Sequence, residues 1–422
     1  MTRADDRFDT PRSRRACFAS IARAAFGVTF AERFVAPALG APRADAAARS
    51  IVTLFMDGGM SHVDTFDPKP GREEMGPTGV LRTNVPGILV GDGLERVAGM
   101  ADRLAVLRAV SAKAADHEIA RYTFRTSYAP TNAIRHPALG SWALLTSGYD
   151  SDLPGYVLVG DGNTHPGCGF LDPVHGPVSI IEPRTLPPAA TELDLYKRLL
   201  ISTHIDGSFR SRYDSQQTQA YDRMYARAVR LLGSADLQAF DLAKEPPQVR
   251  ERYGDSHFGQ GCLLARRLVE AGVQSIDVDL TGWDDHADIF NPGKAPARVR
   301  TLDRGLAALL DDLDERGLLD STLVVVATEF GRTPYINGAK GRDHHPAAFS
   351  CVLAGAGVKR GFVHGATDER GYTVESGEIT HADLNKTIAE ALGLPHDREF
   401  RAPNGRPFRI GGEGRVVREV LA

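Results

Sequence analysis

Short apolar runs, each followed by a turn of glycines and acids, recur along this chain. Ile51-Val52-Thr53-Leu54-Phe55-Met56 ends at Asp57-Gly58-Gly59. Tyr156-Val157-Leu158-Val159 leads into Gly160-Asp161-Gly162, and Val273 to Leu280 into Thr281-Gly282-Trp283-Asp284. Leu323 to Ala327 leads into Thr328-Glu329-Phe330-Gly331, while Leu104 to Leu107 and Ser350 to Leu353 have the same form. Runs without polar alternation predict strands covered on both faces. Between them the period becomes helical. Val299, Leu302, Leu306, Leu309, Leu310 and Leu313 share one face, with Arg304, Asp311 and Asp312 off it. Phe258 to Ala271 and His381 to Leu392 predict two further helices. Strands alternating with helices indicate an α/β fold with a mostly parallel central sheet and helices on both faces.

Two stretches break the pattern. Leu171 to Arg250 carries prolines early and then a polar region rich in Gln, Arg and Tyr. It reads as an insertion or cap (171–250) inside one domain spanning 47–422. At the amino terminus, Ser13-Arg14-Arg15-Ala16-Cys17-Phe18 precedes a moderately apolar stretch from Ile21 to Leu39 and the small residues Ala44-Asp45-Ala46-Ala47. Residues 1–46 are expected to be a twin-arginine export signal, with the export machinery as partner and a periplasmic or extracellular destination. A surface amphipathic helix or a disordered arm is the alternative. Arg23, Glu32 and Arg33 interrupt the apolar stretch, so no transmembrane segment is expected.

Composition narrows the function classes. The formal net charge of -4 offers no general attraction to nucleic acid. The four cysteines include no Cys-x-x-Cys pair, which suits neither a zinc knuckle nor a dense disulfide framework.

Ligands of open parallel sheets bind beyond the carboxyl ends of the strands. Asp57, Asp284, His286 and Glu329 fall at such ends, and Arg332, Arg342, His344 and His345 lie in the loop after Glu329. Crowded carboxylates repel one another, and a cation relieves that repulsion. Zinc or manganese accepts mixed carboxylate and imidazole ligands, whereas calcium or magnesium favours the oxygens. Asp57, Asp284, His286, Glu329 and His345 are the expected metal ligands. The alternative is an ion-pair network closed by Arg332 and Arg342. Asp116-His117-Glu118 to Thr126-Ser127 begins either an anion-facing helix or an ordinary capped amphipathic one.

Several of these segments together resemble domain-of-unknown-function family 1501. They are Phe55-Met56-Asp57-Gly58-Gly59-Met60-Ser61-His62-Val63-Asp64-Thr65-Phe66-Asp67-Pro68-Lys69, His136-Pro137-Ala138-Leu139-Gly140-Ser141-Trp142, Gly282-Trp283-Asp284-Asp285-His286, Thr328-Glu329-Phe330-Gly331-Arg332-Thr333-Pro334 and Gly341-Arg342-Asp343-His344-His345-Pro346. That family is grouped with the alkaline-phosphatase-like phosphatases, sulfatases and phosphomutases. The resemblance implies their fold and a divalent-metal site, with Asp57 in the place of the first metal ligand. It also exposes two departures. Phe330 stands where a histidine is usual, and no Cys/Ser-x-Pro-Ser-Arg nucleophile signature is present. The expected function is metal-dependent hydrolysis of phosphate or sulfate esters. His117 or His344 would carry protons, and Arg332 or Arg342 would hold the anion. The alternatives are a non-catalytic metal-binding protein of the envelope or of glycans, and a phosphomutase-type transferase.

Overall fold

The computed structural model describes residues 46–183, 230–231 and 234–422. The expected export signal thus lies outside the described residues apart from its last position, as does most of 171–250. Among the described residues no helix is long and apolar enough to cross a membrane.

The centre is a nine-stranded sheet. We number its strands β1 (Ser50–Asp57), β2 (Leu104–Ser111), β3 (Tyr156–Val159), β4 (Val178–Ile180), β5 (Ser275–Thr281), β6 (Thr322–Ala327), β7 (Phe349–Gly355), β8 (Phe362–His364) and β9 (Ile379–Thr380). Their order is β8-β2-β7-β6-β1-β5-β3-β4, with β9 beside β2. All run parallel except β7, which is antiparallel to both β2 and β6. Its apolar run gave no sign of this reversal, because apolar composition carries no direction. The reversal matters for the site: it brings the amino end of β7, just after His344-His345-Pro346, to the edge where the parallel strands finish. The stretch expected to lie beside the sheet contributes its edge strand β4.

Among the described residues the six principal helices are α1 (His117–Thr126), α2 (Leu139–Ser147), α3 (Pro247–Tyr253), α4 (His257–Glu270), α5 (Ala295–Glu315) and α6 (His381–Ala391). They cover both faces. Val52, Leu54 and Met56 of β1 pack with α4 and α5. Ile51 and Phe55 point the other way, toward α1, α2 and α6. Phe55 stacks on Phe124 of α1 with ring centroids 5.0 Å apart. Leu302, Leu306, Leu309, Leu310 and Leu313 of α5 are all buried, as their spacing requires. Asp312, off that stripe, is buried as well. Its carboxylate accepts from Tyr253 Oη at 2.9 Å and lies 3.2 Å from Arg266 Nε. Helix periodicity does not register such an ion pair, since the partners come from α3 and α4.

Buried histidines are expected to make the fold acid-sensitive. Burial pushes His62, His165 and His381 down to about 4. In the unfolded chain each would titrate near 6.5. Below that pH the unfolded state binds protons that the folded state refuses, so stability falls as pH drops from about 6.5 to about 4. Each histidine contributes up to roughly 3 kcal/mol of this loss. Melting temperatures measured from pH 7.5 to 4.5 should fall steeply over the lower part of that range. A flat profile would contradict the assignment.

Candidate metal centre

Three adjacent strands, β5, β1 and β6, end side by side and deliver Asp284, Asp57 and Glu329 to one edge. The turn after β1 is tight. Trp283 N donates to Asp57 O at 3.1 Å. Gly58 has φ +115°, and a Cβ there would lie 2.7 Å from Asp284 N. Gly58→Ala therefore forces the two strand ends apart. It should cost at least about 2 kcal/mol and weaken metal binding in the same protein, as denaturant and zinc titrations would show. Wild-type behaviour in both titrations would refute this account of the turn.

Three donor atoms, from His117, Asp284 and His344, meet above this edge, and His286 Nε2 adjoins the last two. His344 Nε2 lies 3.0 Å from His117 Nε2, 3.0 Å from His286 Nε2 and 3.2 Å from Asp284 Oδ1. Asp284 Oδ1 lies 3.3 Å from His117 Nε2 and 2.9 Å from His286 Nε2. Donors on a tetrahedron with bonds of 2.0–2.1 Å stand about 3.3 Å apart. His117, Asp284 and His344 form a group able to hold one ion.

The far side of each ring fixes its tautomer. His117 Nδ1 donates to Glu329 Oε1 at 2.7 Å, His286 Nδ1 to Asp343 Oδ1 at 3.0 Å, and His344 Nδ1 to Ala115 O at 2.6 Å. All three partners are acceptors, so each Nδ1 carries a hydrogen, and a ring in its neutral form then turns a bare Nε2 lone pair inward. Imidazoles that ligate metals are held in this way by carboxylates and carbonyls. Lone pairs facing one another and a carboxylate repel; a cation among them converts that repulsion into binding. Arg332 supplies part of the compensation, donating from Nη2 to Asp284 Oδ1 and approaching His286 Nε2 with Nη1 at 3.4 Å. Burial alone would raise the Asp284 carboxyl, but the Arg332 contact outweighs it and holds it well below the usual range. Asp284 is half exposed, so the centre opens to solvent.

Behind the donors lies a row of charge on α1. His117, Arg121 and Arg125 are spaced four residues apart and face the sheet together. Arg121 Nε donates to Asp57 Oδ1 and lies 3.9 Å from Glu329 Oε1. Arg125 donates to Asp277 at 2.6 Å and to Asp279 at 2.9 Å, both on β5. Burial, then the neighbouring Glu329, raises the Asp57 carboxyl. Burial, against Arg125 and together with Asp277 and Asp57, raises Asp279 to about 6.

The family model for proteins of unknown function DUF1501 matches residues 48–421. The chain belongs to the DUF1501 family. No curated protein matches it. Solved structures similar to this DUF1501 chain include a sulfatase from Pseudoalteromonas sp., at 12% identity over 83% of this chain and 68% of that one, with a TM-score of 0.38. A phosphonate monoester hydrolase from Silicibacter pomeroyi aligns at 13% identity over 88% and 76%, with a TM-score of 0.38. An alkaline phosphatase from the Antarctic bacterium TAB5 aligns at 10% identity over 82% and 99%, with a TM-score of 0.38.

In this DUF1501 protein the residues singled out from sequence separate into three groups. His117, Asp284, His286 and His344 are brought together. Asp57 and Glu329 sit one layer behind them. Glu329 is fully buried and spends its oxygens on His117, Gly58 N at 2.9 Å and the Thr328 hydroxyl at 3.1 Å. His345 stands apart: its Nε2 donates to Tyr372 O at 2.8 Å, and its ring lies 6.3 Å from that of His62. His344 and His345 are adjacent on a two-residue strand paired with Gly331–Arg332, so their side chains point oppositely and only one reaches the cluster. Phe330 packs against both His117 and His344, each with centroids 4.7 Å away, so it backs the rings where a ligand was looked for.

The expected anion-holding arginines have no free donors to offer. Arg332 is fully buried and also donates to Gly58 O, Gly59 O and Arg342 O. Arg342 is fully buried in a two-pronged pair with Asp64, at 2.8 and 3.0 Å, and donates to Glu74 O, Thr333 O and Pro334 O. Sequence reasoning passed over Arg121. Its only local signal was the four-residue spacing from His117.

Proposed function

We propose that this chain is a metal-dependent hydrolase of phosphate or sulfate esters acting outside the cytoplasm. One observation carries the reading: three imidazoles have every Nδ1 set against an acceptor and bring their Nε2 atoms to 3.3, 2.9 and 3.2 Å from Asp284 Oδ1. The donors His117, His286, His344 and Asp284 suit zinc better than calcium or magnesium, since imidazole outnumbers oxygen. A divalent cation bound there supplies Lewis-acid polarisation of the ester oxygen. The chain's own residues do the positioning. Glu329, Asp343 and the Ala115 carbonyl hold the three rings in one tautomer, and Arg332 holds Asp284. The amino-terminal Ser13-Arg14-Arg15 segment supports the extracytoplasmic part of the reading.

A second reading has its own observation. Ser61, the first hydroxyl after Asp57 in sequence, donates to Asp64 Oδ2 at 2.5 Å and is thereby occupied. Cys168, Cys262 and Cys351 are buried. Metal binding without turnover, serving recognition of an anionic glycan at the envelope, fits a site whose nearby hydroxyl and thiols, among the described residues, are committed or enclosed. Protein stripped with chelator and reloaded with zinc or manganese should cleave aryl phosphates or aryl sulfates and stop when chelator returns. Metal-loaded protein that cleaves nothing across such a panel leaves the binding reading. Protein that takes up no metal removes both.

A further inference from the structure

We infer that Arg121, oriented by Asp57, receives the tetrahedral oxyanion of the ligand at this centre. The identity of that anion as an ester group rests on the hydrolase reading; the choice of arginine rests on the geometry alone.

Of the arginines near the centre among the described residues, Arg332, Arg342 and Arg125 are spent. Arg332 and Arg342 are fully buried, and their donors are taken up by carboxylates and carbonyls. Arg125 is buried between Asp277 and Asp279. Arg121 differs. Only its Nε is engaged, by Asp57 Oδ1, and among the described residues neither terminal nitrogen makes a hydrogen bond. Its side chain is 19% exposed.

A guanidinium carries five N–H donors in a fixed plane, so holding Nε leaves the outer pair of nitrogens aimed as a fork. Such forks match two oxygens of a phosphate or sulfate. The fork is also near the donor cluster: Arg121 Nε lies 3.9 Å from Glu329 Oε1, which itself binds His117 Nδ1 at 2.7 Å. Asp57 thereby acquires a part distinct from ligation. It positions Arg121 and prevents the long side chain from swinging into solvent.

The test is titration of zinc-loaded protein with inorganic phosphate and, separately, inorganic sulfate, by calorimetry, with zinc counted in each sample. Zinc stoichiometry should be the same in wild type, Arg121→Ala and Asp57→Asn. Oxyanion affinity should fall on the order of 10- to 100-fold in Arg121→Ala. It should fall several-fold in Asp57→Asn. Arg121→Lys keeps the charge and the fold but not the fork, and should recover only part of the affinity. The tighter of the two anions identifies the ester class.

Phosphate and sulfate affinity unchanged in folded Arg121→Ala, or no binding of either by wild type, overturns the inference. Loss of zinc from Asp57→Asn makes Asp57 a ligand and overturns its positioning part. Failure of wild type to take up zinc or manganese sinks the hydrolase reading separately. In that event the same titration on zinc-free protein decides Arg121: loss of binding in Arg121→Ala supports it, and survival overturns it.

Discussion

His344→Ala is expected to lower zinc affinity about 100- to 1000-fold and to remove ester cleavage with it. His344 Nε2 is the imidazole nitrogen near both of the others, lying 3.0 Å from His117 and from His286 and 3.2 Å from Asp284. Structural zinc sites bind with about 10–16 kcal/mol, which shared over four donors is about 2.5–4 kcal/mol each. Losing one donor entirely should cost at least that share. The folded state should survive, because His344 is partly exposed and its removal leaves no buried charge. Metal-free His344→Ala should even match or exceed metal-free wild type in melting temperature, since one of the opposed lone pairs is gone. A structural histidine would behave oppositely, destabilising the metal-free protein and leaving zinc affinity alone. Zinc competition against a chromogenic chelator, with thermal melts of the stripped proteins, distinguishes the two cases.

Arg342→Ala is expected to act on the fold instead, costing roughly 3–5 kcal/mol. Its guanidinium is fully buried and meets Asp64 through two nitrogens. Asp64 is buried as well, and its other support is the Ser61 and Thr78 hydroxyls, at 2.5 and 2.7 Å. Removing the arginine leaves a carboxylate uncompensated in the interior, together with the carbonyls of Glu74, Thr333 and Pro334. Arg342→Lys should rescue little, because a single ammonium cannot span Asp64 and three carbonyls. Urea unfolding should show a lower midpoint with an unchanged slope. An Arg342→Ala protein as stable as wild type but unable to bind phosphate would return Arg342 to the role of anion holder.

The strand ends were legible because their signals are local. An apolar run stopping at Asp57, or at Glu329, marks a buried strand and its exit in a few consecutive residues. The helices were equally plain: α5 covers Ala295–Glu315 around the leucine stripe, and α1 begins at His117 with Asp116 accepting from Ile119 N at 3.0 Å. The carboxylates and imidazoles of the centre were all visible as chemistry. Their assignment to layers was not. Glu329 and Asp284 look alike as strand-end acids. One faces solvent and the donor cluster, whereas the other is enclosed and turned onto His117 and Gly58 N–H.

The same limit governs the histidines and arginines. Adjacent side chains on a strand point to opposite sides, so His344-His345 guaranteed one inward imidazole without saying which. The direction of β7 and the ladder with Gly331–Arg332 settled that. Arg342 looked available until Asp64, 278 residues earlier, closed on it. By itself, then, the order of residues determined the elements, the mostly parallel α/β class and the stock of carboxylates, imidazoles and guanidiniums. Tertiary structure alone decided which of those groups converge, which are consumed by partners and which, like Arg121, keep donors to spare. The reason is physical: backbone periodicity is written in neighbours, but a side chain's free valence depends on whatever distant segment packs against it.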